Sequence, residues 1–125
     1  MITFEHVGIA AKDTRALAEW YVRVLGFKVV YDNKKQPIPT LFVQDAKGMA
    51  VEILPPPADG QVQDSRATHF ALWVDDFDAA KKELEAKGVV LEPEMSSPSF
   101  GGTRIAFFSD PEGHRIQIIR RKQRM

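Results

Sequence analysis

Two histidines occupy equivalent positions in a sequence that is written twice. His6 lies near the start of the segment EHVGIAAKD, and His69 lies near the start of THFALWVDD. Each segment is an apolar, strand-like run that ends in an aspartate before a helical pattern. The two histidines are 63 positions apart, and so are Asp13 and Asp76. This spacing predicts one module repeated, with a histidine at the start of the first strand of each copy.

Each copy also carries a polar residue in its last strand. Glu52 follows Gly48 by four positions, and Gln117 follows Gly113 by four. Strand alternation places each on the face opposite to the apolar neighbours on either side. A carboxylate in an apolar strand is costly to bury unless it is paired or bound to a metal.

Taken singly, each of these residues is typical of an ordinary core or surface position. The duplicated spacing instead favours a metal site made of four side chains, namely His6, Glu52, His69 and Gln117. His114 lies beside a turn and outside these positions, so we predict that it is a surface residue.

Hydrophobic periodicity predicts the order βαβββ in each copy. In the first copy we predict strands at 3–10, 27–31, 40–44 and 49–54 and a helix at 15–25. In the second copy we predict strands at 69–74, 89–91, 103–108 and 114–119 and a helix at 79–87. The remaining long segments are predicted to be a linker at 58–66, a mobile connection at 92–102 and a solvated basic tail at 120–125.

Composition restricts the function further. The 125 residues include 17 basic and 17 acidic side chains and no cysteine. Zero net charge removes the general electrostatic case for nucleic acid or an anionic membrane. The lack of cysteine excludes disulfides, thiolate metal sites and a cysteine nucleophile. No signal peptide is expected before the first strand, so we predict a soluble cytoplasmic protein.

Several motifs resemble one known family. The segments HVGIAAKD, WYVRVLGFKVV, HFALWVDDFDAA and GGTRIAFFSDPEGHRIQII resemble the vicinal oxygen chelate superfamily over essentially the whole chain. That superfamily includes glyoxalase I, methylmalonyl-CoA epimerase, extradiol dioxygenases, fosfomycin-resistance proteins and bleomycin-binding proteins. The resemblance implies an α+β fold and a single domain over residues 1–125. Two βαβββ modules, about 1–57 and 67–121, would form a cupped, partly open eight-stranded sheet with the helices outside.

The resemblance also implies a site and an activity. One divalent ion (Ni, Co, Mn, Fe or Zn) would be held by His6, Glu52, His69 and Gln117. It would act as a Lewis acid in a glyoxalase-like lyase or isomerase reaction on a small α-hydroxycarbonyl substrate, stabilising an enediolate. Glu52 would be the catalytic base. The candidates for the substrate-binding wall and lid are Trp73, Phe107, Phe100, Gly101 and Gly102.

Departures from the family pattern leave alternatives open. Gln117 stands where extradiol dioxygenases and fosfomycin-resistance enzymes have a glutamate ligand, which makes both activities less favoured. Ala10 and Pro56 replace residues of the glutathione-using enzymes, which argues against glutathione. A resemblance to methylmalonyl-CoA epimerase implies one glutamine and one glutamate ligand in opposite modules. This chain has the same two residue types, but each is in the other module. The alternatives are a metal-free, ligand-sequestering protein of the bleomycin-resistance type and a non-catalytic scaffold. A homodimer is implied, with the cup closed either within one chain or across two.

Overall fold

The computed structural model describes residues 1, 4–58 and 68–124. These residues divide into two compact units, Met1–Asp64 and Ser65–Met125, which we call module 1 and module 2. Module 1 contains β1 (His6–Ala10), α1 (Thr14–Leu25), β2 (Lys28–Asp32), β3 (Leu41–Gln44) and β4 (Ala50–Leu54). Module 2 contains β5 (His69–Trp73), α2 (Phe77–Ala86), β6 (Met95–Ser97), β7 (Thr103–Ser109) and β8 (Arg115–Arg121).

Module 1 is a four-stranded sheet with the strand order β1-β4-β3-β2. β1 runs parallel to β4, and the other neighbours are antiparallel. The Asp13 side chain accepts a hydrogen bond from the Ala16 N–H at 3.0 Å and so begins α1. Gly26 ends the helix in the left-handed conformation with φ of 72°. Leu17, Tyr21 and Val24 are buried on the helix face that packs against the sheet.

Module 2 repeats this arrangement in the strand order β5-β8-β7-β6, with β5 parallel to β8. The Asp76 side chain accepts from the Ala79 N–H at 3.0 Å, as Asp13 does in module 1. The core of the module is formed by Ala106, Phe108, Ile116 and Ile118 together with Phe77 and Leu84 of α2.

The α+β class and the two βαβββ modules are therefore confirmed, and the eight strands are found in two four-stranded sheets. The single domain stays a prediction. Most of the predicted linker between the modules lies outside the described residues, as does the start of the first predicted strand. No helix in the described part of the chain is long and apolar enough to cross a membrane.

The strand predicted at 89–91 is wrong. The Val89 N–H donates to the Leu84 carbonyl at 3.0 Å, so this residue closes the end of α2, and Val90 is 87% exposed. The third strand of module 2 is instead β6, in the segment predicted to be a mobile connection. β6 has the sequence MSS and pairs with β7, with Met95 opposite Ile105. Pairing with a neighbouring strand, rather than a local apolar pattern, makes this segment a strand.

Two other expectations are corrected. The His114 side chain is only 9% exposed, and its Nδ1 lies 2.7 Å from Oδ2 of the buried Asp110. It is therefore a paired residue under the β7–β8 turn and not a surface residue. Arg120 and Arg121 belong to β8 and are half-buried, so the basic segment begins as an ordered strand rather than a solvated tail.

The same turn closes the last hairpin of each module. In module 1, Asp45 Oδ1 accepts from the N–H groups of Lys47 and Met49, each at 2.9 Å. In module 2, Asp110 Oδ1 accepts from the N–H groups of Glu112 at 2.9 Å and His114 at 3.0 Å. Asp110 is buried and also contacts the His114 ring, whereas Asp45 has no such partner ring.

We expect Asp110→Ala to lower the free energy of unfolding by about 1–3 kcal/mol, because buried partners lose a charged acceptor. Asp45→Ala, the matched change in the more exposed turn, should cost about 0.5–1.5 kcal/mol. Urea denaturation of both variants measures the difference. Equal losses would contradict a special role for the Asp110–His114 contact.

One arginine joins α2 to the segment before β6. Arg104 on β7 donates from Nη2 to Asp78 Oδ1 at 2.9 Å and from Nε to Glu94 Oε1 at 2.6 Å. These hydrogen bonds lower the pKa of the Asp78 and Glu94 carboxyls from their usual values. The Arg104 guanidinium also lies 4.4 Å from the centre of the Phe77 ring.

We expect Arg104→Gln to lower the melting temperature at pH 7 more than at about pH 3. Because the folded-state pKa values of both carboxyls are lowered, their stabilisation is present above the unfolded pKa values. It is lost as the pH falls through the folded ones. Thermal unfolding of wild type and variant across this range should show the gap closing towards acid. A gap that does not change with pH would refute the assignment.

Candidate metal and ligand site

The two candidate ligands of module 1 lie side by side on one face of the sheet. His6 is on β1 and Glu52 is on the adjacent parallel strand β4, where its Cα partner is Gly8. His6 Nε2 is 3.7 Å from Glu52 Oε1. A Cβ built on Gly8 would lie 3.6 Å from the same Glu52 oxygen, so the glycine leaves the carboxylate uncovered. Parallel pairing thus brings an imidazole and a carboxylate into reach of a common ligand.

A second carboxylate contacts the other nitrogen of the His6 ring. Glu5 Oε1 lies 3.0 Å from His6 Nδ1. When Nδ1–H donates to a carboxylate, the proton is held on that nitrogen and Nε2 keeps its lone pair. Because the Glu5 side chain is 86% exposed, this contact is open to water and its effect is modest. It nevertheless favours the tautomer in which Nε2, the nitrogen beside Glu52, can bind a metal.

An aromatic side chain supports each histidine. In module 1 the His6 and Phe42 ring centroids are 5.2 Å apart in an edge-to-face arrangement, and Phe42 is the Cα partner of Glu52. In module 2 the His69 and Phe107 centroids are also 5.2 Å apart, edge to face, and Phe107 is the Cα partner of Gln117. The two modules therefore build the same group of three positions.

Sequence reasoning named Phe107 and missed Phe42. A signal was present, because Phe42 and Phe107 are 65 positions apart, the same interval that separates Glu52 from Gln117. Phe42 also borders a cavity of about 330 Å³ in module 1. The lining is mainly apolar and comprises Glu5, Val30, Tyr31, Phe42, Gln44, Gly48 and Ala50. An apolar cavity with a few polar groups is the usual form of a small-molecule site.

The side-chain amide of Gln117 lies on β8 and is nearly buried. It is 6% exposed, and its side chain makes no hydrogen bond with any residue that the structure describes. No fully inaccessible side-chain nitrogen or oxygen in the described ranges lacks a partner, so the amide of Gln117 still reaches an accessible space. The amide is therefore not committed to a hydrogen bond within the described residues and can bind water or another ligand. The Gln117 oxygen is therefore available as a metal donor.

The predicted wall residues are covered by arginines. Trp73 has the Arg120 guanidinium 4.8 Å and the Arg124 guanidinium 4.5 Å from its ring, and its Nε1–H donates to Asp75 at 3.2 Å. The Arg115 guanidinium lies 3.6 Å from the Phe107 ring centre. A substrate role for Trp73 and Phe107 stays a prediction, and it would require these cations to form part of the binding surface.

The predicted lid is tied to the end of β8. Ser99–Gly101 forms one 3₁₀ turn, and Phe100 has the left-handed φ of 53°. The Gly102 carbonyl accepts from the Lys122 N–H at 3.0 Å, and the Phe100 carbonyl accepts from the Gln123 N–H at 2.9 Å. Phe100, Gly101 and Gly102 are thus held by the backbone, and their action as a lid stays a prediction.

The structure brings together His6 and Glu52 and places His69 and Gln117 on adjacent strands. Within residues 1, 4–58 and 68–124, no three His, Asp or Glu side chains are grouped so that they could hold a metal ion. A single ion bound by all four residues stays a prediction. The donor set fits such an ion, because its members are nitrogen and oxygen donors and one of them is an otherwise unpartnered amide.

The repeated βαβββ modules, with a histidine on the first strand and a polar donor on the last, define a protein of the vicinal oxygen chelate type. The chain belongs to the Glyoxalase/Bleomycin resistance protein/Dioxygenase superfamily, whose family model matches residues 3–118. The resemblance seen in the sequence motifs is thereby confirmed.

Relatives of similar length support the assignment. A protein of Vibrio cholerae serotype O1 named a probable lactoylglutathione lyase is 27% identical over 124 residues, covering 94% of this chain and 90% of the relative. The uncharacterized protein YwkD of Bacillus subtilis is 28% identical over 116 residues, covering 88% and 90%. A superfamily member from Sphaerobacter thermophilus has a solved structure with a TM-score of 0.77 and 28% identity, covering 94% of this chain and 97% of that one.

We expect Gln117→Met to raise the free energy of unfolding of the metal-free protein by about 1 kcal/mol, because an unpartnered amide is replaced by an apolar side chain of similar length. The matched control is Gln44→Met. Gln44 donates to the Gly48 carbonyl at 3.0 Å, so its loss should destabilise. Urea denaturation in a chelator measures both. Destabilisation of similar size in the two variants would show that the Gln117 amide has a partner.

Proposed function

We propose that this protein is a metal-dependent lyase or isomerase of the glyoxalase type, acting on a small α-hydroxycarbonyl substrate as a cytoplasmic homodimer. The observation that carries the proposal is the approach of His6 Nε2 to Glu52 Oε1 at 3.7 Å. Its support is the matching placement of His69 and Gln117 on the equivalent strands of module 2.

The proposed ligands are His6 through Nε2, Glu52, His69 and Gln117. Two imidazoles, one carboxylate and one amide oxygen suit Ni²⁺, Co²⁺, Mn²⁺, Fe²⁺ or Zn²⁺. Such an ion would supply Lewis-acid stabilisation of negative charge on a substrate oxygen. With Glu52 as the one ionised ligand, the site would keep a net charge of about +1, which strengthens this effect.

Glu52 would move the proton. The Gln117 amide has no proton that titrates in this range, and each histidine would already use a ring nitrogen as a ligand. Among the four proposed ligands, Glu52 is thus the residue that can take a proton from a substrate carbon and return it to the neighbouring one. The open apolar depression that Phe42 lines in module 1 would hold part of the substrate.

The Vibrio cholerae relative, named a probable lactoylglutathione lyase, supports this reaction class. Ala10 and Pro56 argue against glutathione itself, since the glutathione-using enzymes that the motifs resemble have larger polar residues there. We therefore propose a substrate that carries the α-hydroxycarbonyl group without the tripeptide.

A second candidate function is metal-free ligand sequestration. The cavity of about 330 Å³ beside Tyr31 and Phe42 favours it, because a mainly apolar cavity can bind a small ligand without any ion. Elemental analysis of protein purified without an affinity tag separates the two functions. A stoichiometric transition metal supports the enzyme, and protein that neither contains nor takes up a metal supports the binder.

We expect Glu52→Gln to lower turnover by about 10²–10⁴-fold, the usual loss when an acid–base group is removed. The variant should still bind some metal, because the amide oxygen remains a donor. Metal content and turnover should be measured together, using α-hydroxycarbonyl and α-ketoaldehyde–thiol substrates.

The matched control for this prediction is Glu19→Gln. It removes the same charge from an exposed position on α1 and should leave both quantities unchanged. Gln117→Glu should tighten metal binding and keep some activity, since it adds a charged ligand. Full turnover in Glu52→Gln would refute the role of Glu52 as base.

A further inference from the structure

A basic cleft lies at one corner of the module 2 sheet, where β6 ends, β7 begins and β8 ends. Its volume is about 310 Å³. Its lining, which defines the basic cleft, comprises Ser96, Ser97, Gly102, Thr103, Arg104, Arg120, Arg121 and Lys122. We propose that this cleft binds a phosphate group, carried by a small phosphate monoester. The proposal does not depend on the metal site.

The cleft has more positive charge than its surroundings neutralise. Arg104 is paired with Asp78 and Glu94, at 2.9 Å and 2.6 Å. Arg120, Arg121 and Lys122 form no ion pair with an acidic side chain in the part of the chain that the structure describes. All three residues border the same cleft, and cations that border one concave surface create a positive potential, which attracts an anion.

The strand register places like charges opposite one another. Arg104 and Arg120 are Cα partners on the antiparallel strands β7 and β8. Like charges directly opposite in a sheet destabilise it. The two acidic partners of Arg104 neutralise its charge. No acidic side chain in the described part of the chain forms an ion pair with Arg120. A bound anion would remove the repulsion that the folded chain otherwise retains.

Two of the guanidinium groups are held in place by aromatic rings. The Arg121 guanidinium lies 4.5 Å from the Phe100 ring centre and donates from Nη1 to Thr103 Oγ1 at 3.0 Å. Arg120 lies against Trp73 and donates from Nη1 to the Arg121 carbonyl at 2.9 Å. A guanidinium whose face is stacked directs its remaining N–H groups outward in its own plane, ready for a planar or tetrahedral oxyanion.

The backbone beside the basic cleft is strained at Phe100, the residue whose ring contacts Arg121. Phe100 has φ of 53° and ψ of 41°, a conformation that is unfavourable for a residue with a side chain. The hydrogen bond from the Gln123 N–H to the Phe100 carbonyl holds it there. The strained turn places the Phe100 ring against the Arg121 guanidinium. The free-energy cost of the Phe100 conformation is therefore linked to the position of a cation of the basic cleft.

Phosphate fits the cleft better than a carboxylate does. A phosphate monoester carries close to two negative charges at neutral pH and three acceptor oxygens, which suits a cleft bordered by cations that form no ion pair with a described acidic side chain. The exposed Ser96 adds a hydroxyl at the rim. A volume of about 310 Å³ stands at the lower end of the range for small-molecule pockets, which leaves room for a compact organic group beside the phosphate.

The test is calorimetric titration of the full-length protein with inorganic phosphate, phenyl phosphate and benzoate at constant ionic strength. A chelator in the buffer prevents phosphate from binding through a metal. We expect saturable binding of phenyl phosphate, weakened at least tenfold in Arg121→Gln and in Lys122→Gln. Lys122 is exposed, so its variant keeps the test valid if Arg121→Gln fails to fold.

The matched control is Arg23→Gln, which removes one charge from an exposed position in the last turn of α1 and should bind as wild type does. Phenyl phosphate binding more tightly than inorganic phosphate supports the monoester, and equal affinity assigns the cleft to free phosphate instead. Benzoate binding as tightly as phenyl phosphate would overturn the phosphate assignment. An absence of saturable binding, or an equal loss in Arg23→Gln, would overturn the site.

Discussion

The parallel pairing of the first and last strand of each module is the constraint on which the candidate site depends. His6 and Glu52 are 46 positions apart in sequence, and they meet because β1 lies beside β4 in a register that puts Gly8 opposite Glu52. Strand alternation then sends the histidine and the carboxylate to the same face. A shift of one residue would turn Glu52 towards the helix, where Val51 and Ile53 are now buried.

The repeat preserves this geometry while its chemistry diverges. Both modules keep the histidine, the aromatic ring at its edge and the polar residue opposite that ring. Module 1 places carboxylates on both sides of His6, whereas module 2 has the neutral Gln117 and one arginine, Arg115, over the Phe107 ring. One scaffold therefore presents an acidic group in one copy and a neutral donor in the other.

Much of this fold could be predicted from the sequence because both helices and most of the strands are encoded by local sequence patterns. Asp13 and Asp76, which precede the two predicted helical patterns at an interval of 63 positions, each accept a hydrogen bond from the first turn of the helix. The strand at 89–91 could not be predicted correctly, since β6 has almost no apolar pattern and depends on its pairing with β7. His114 was likewise misread, because its burial depends on Asp110, and a turn position carries no signal of burial in the sequence.

The site was less predictable than the fold, and for a physical reason. Type and spacing identify which residues can be ligands, and the parallel strands then place them. The arginines that lie over Trp73, Phe100 and Phe107 make cation–π contacts across strands or from beyond a strand end. No local sequence pattern encodes such contacts. Trp73 and Phe107 thus have guanidinium groups against their rings, and their role as a substrate-binding wall stays a prediction.

The burial of Gln117 links stability to function. An amide that is 6% exposed and has no hydrogen-bond partner among the described residues contributes little to the stability of the folded chain, and an apolar residue would pack there at lower cost. Selection for stability alone would remove it, because stabilising substitutions at such positions are easy to reach. Its presence at the position equivalent to Glu52, beside a histidine and an aromatic ring that are also repeated, is consistent with a requirement for an oxygen donor. On this reasoning Gln117, which the packing of β8 does not require, supports the proposed oxygen donor in module 2.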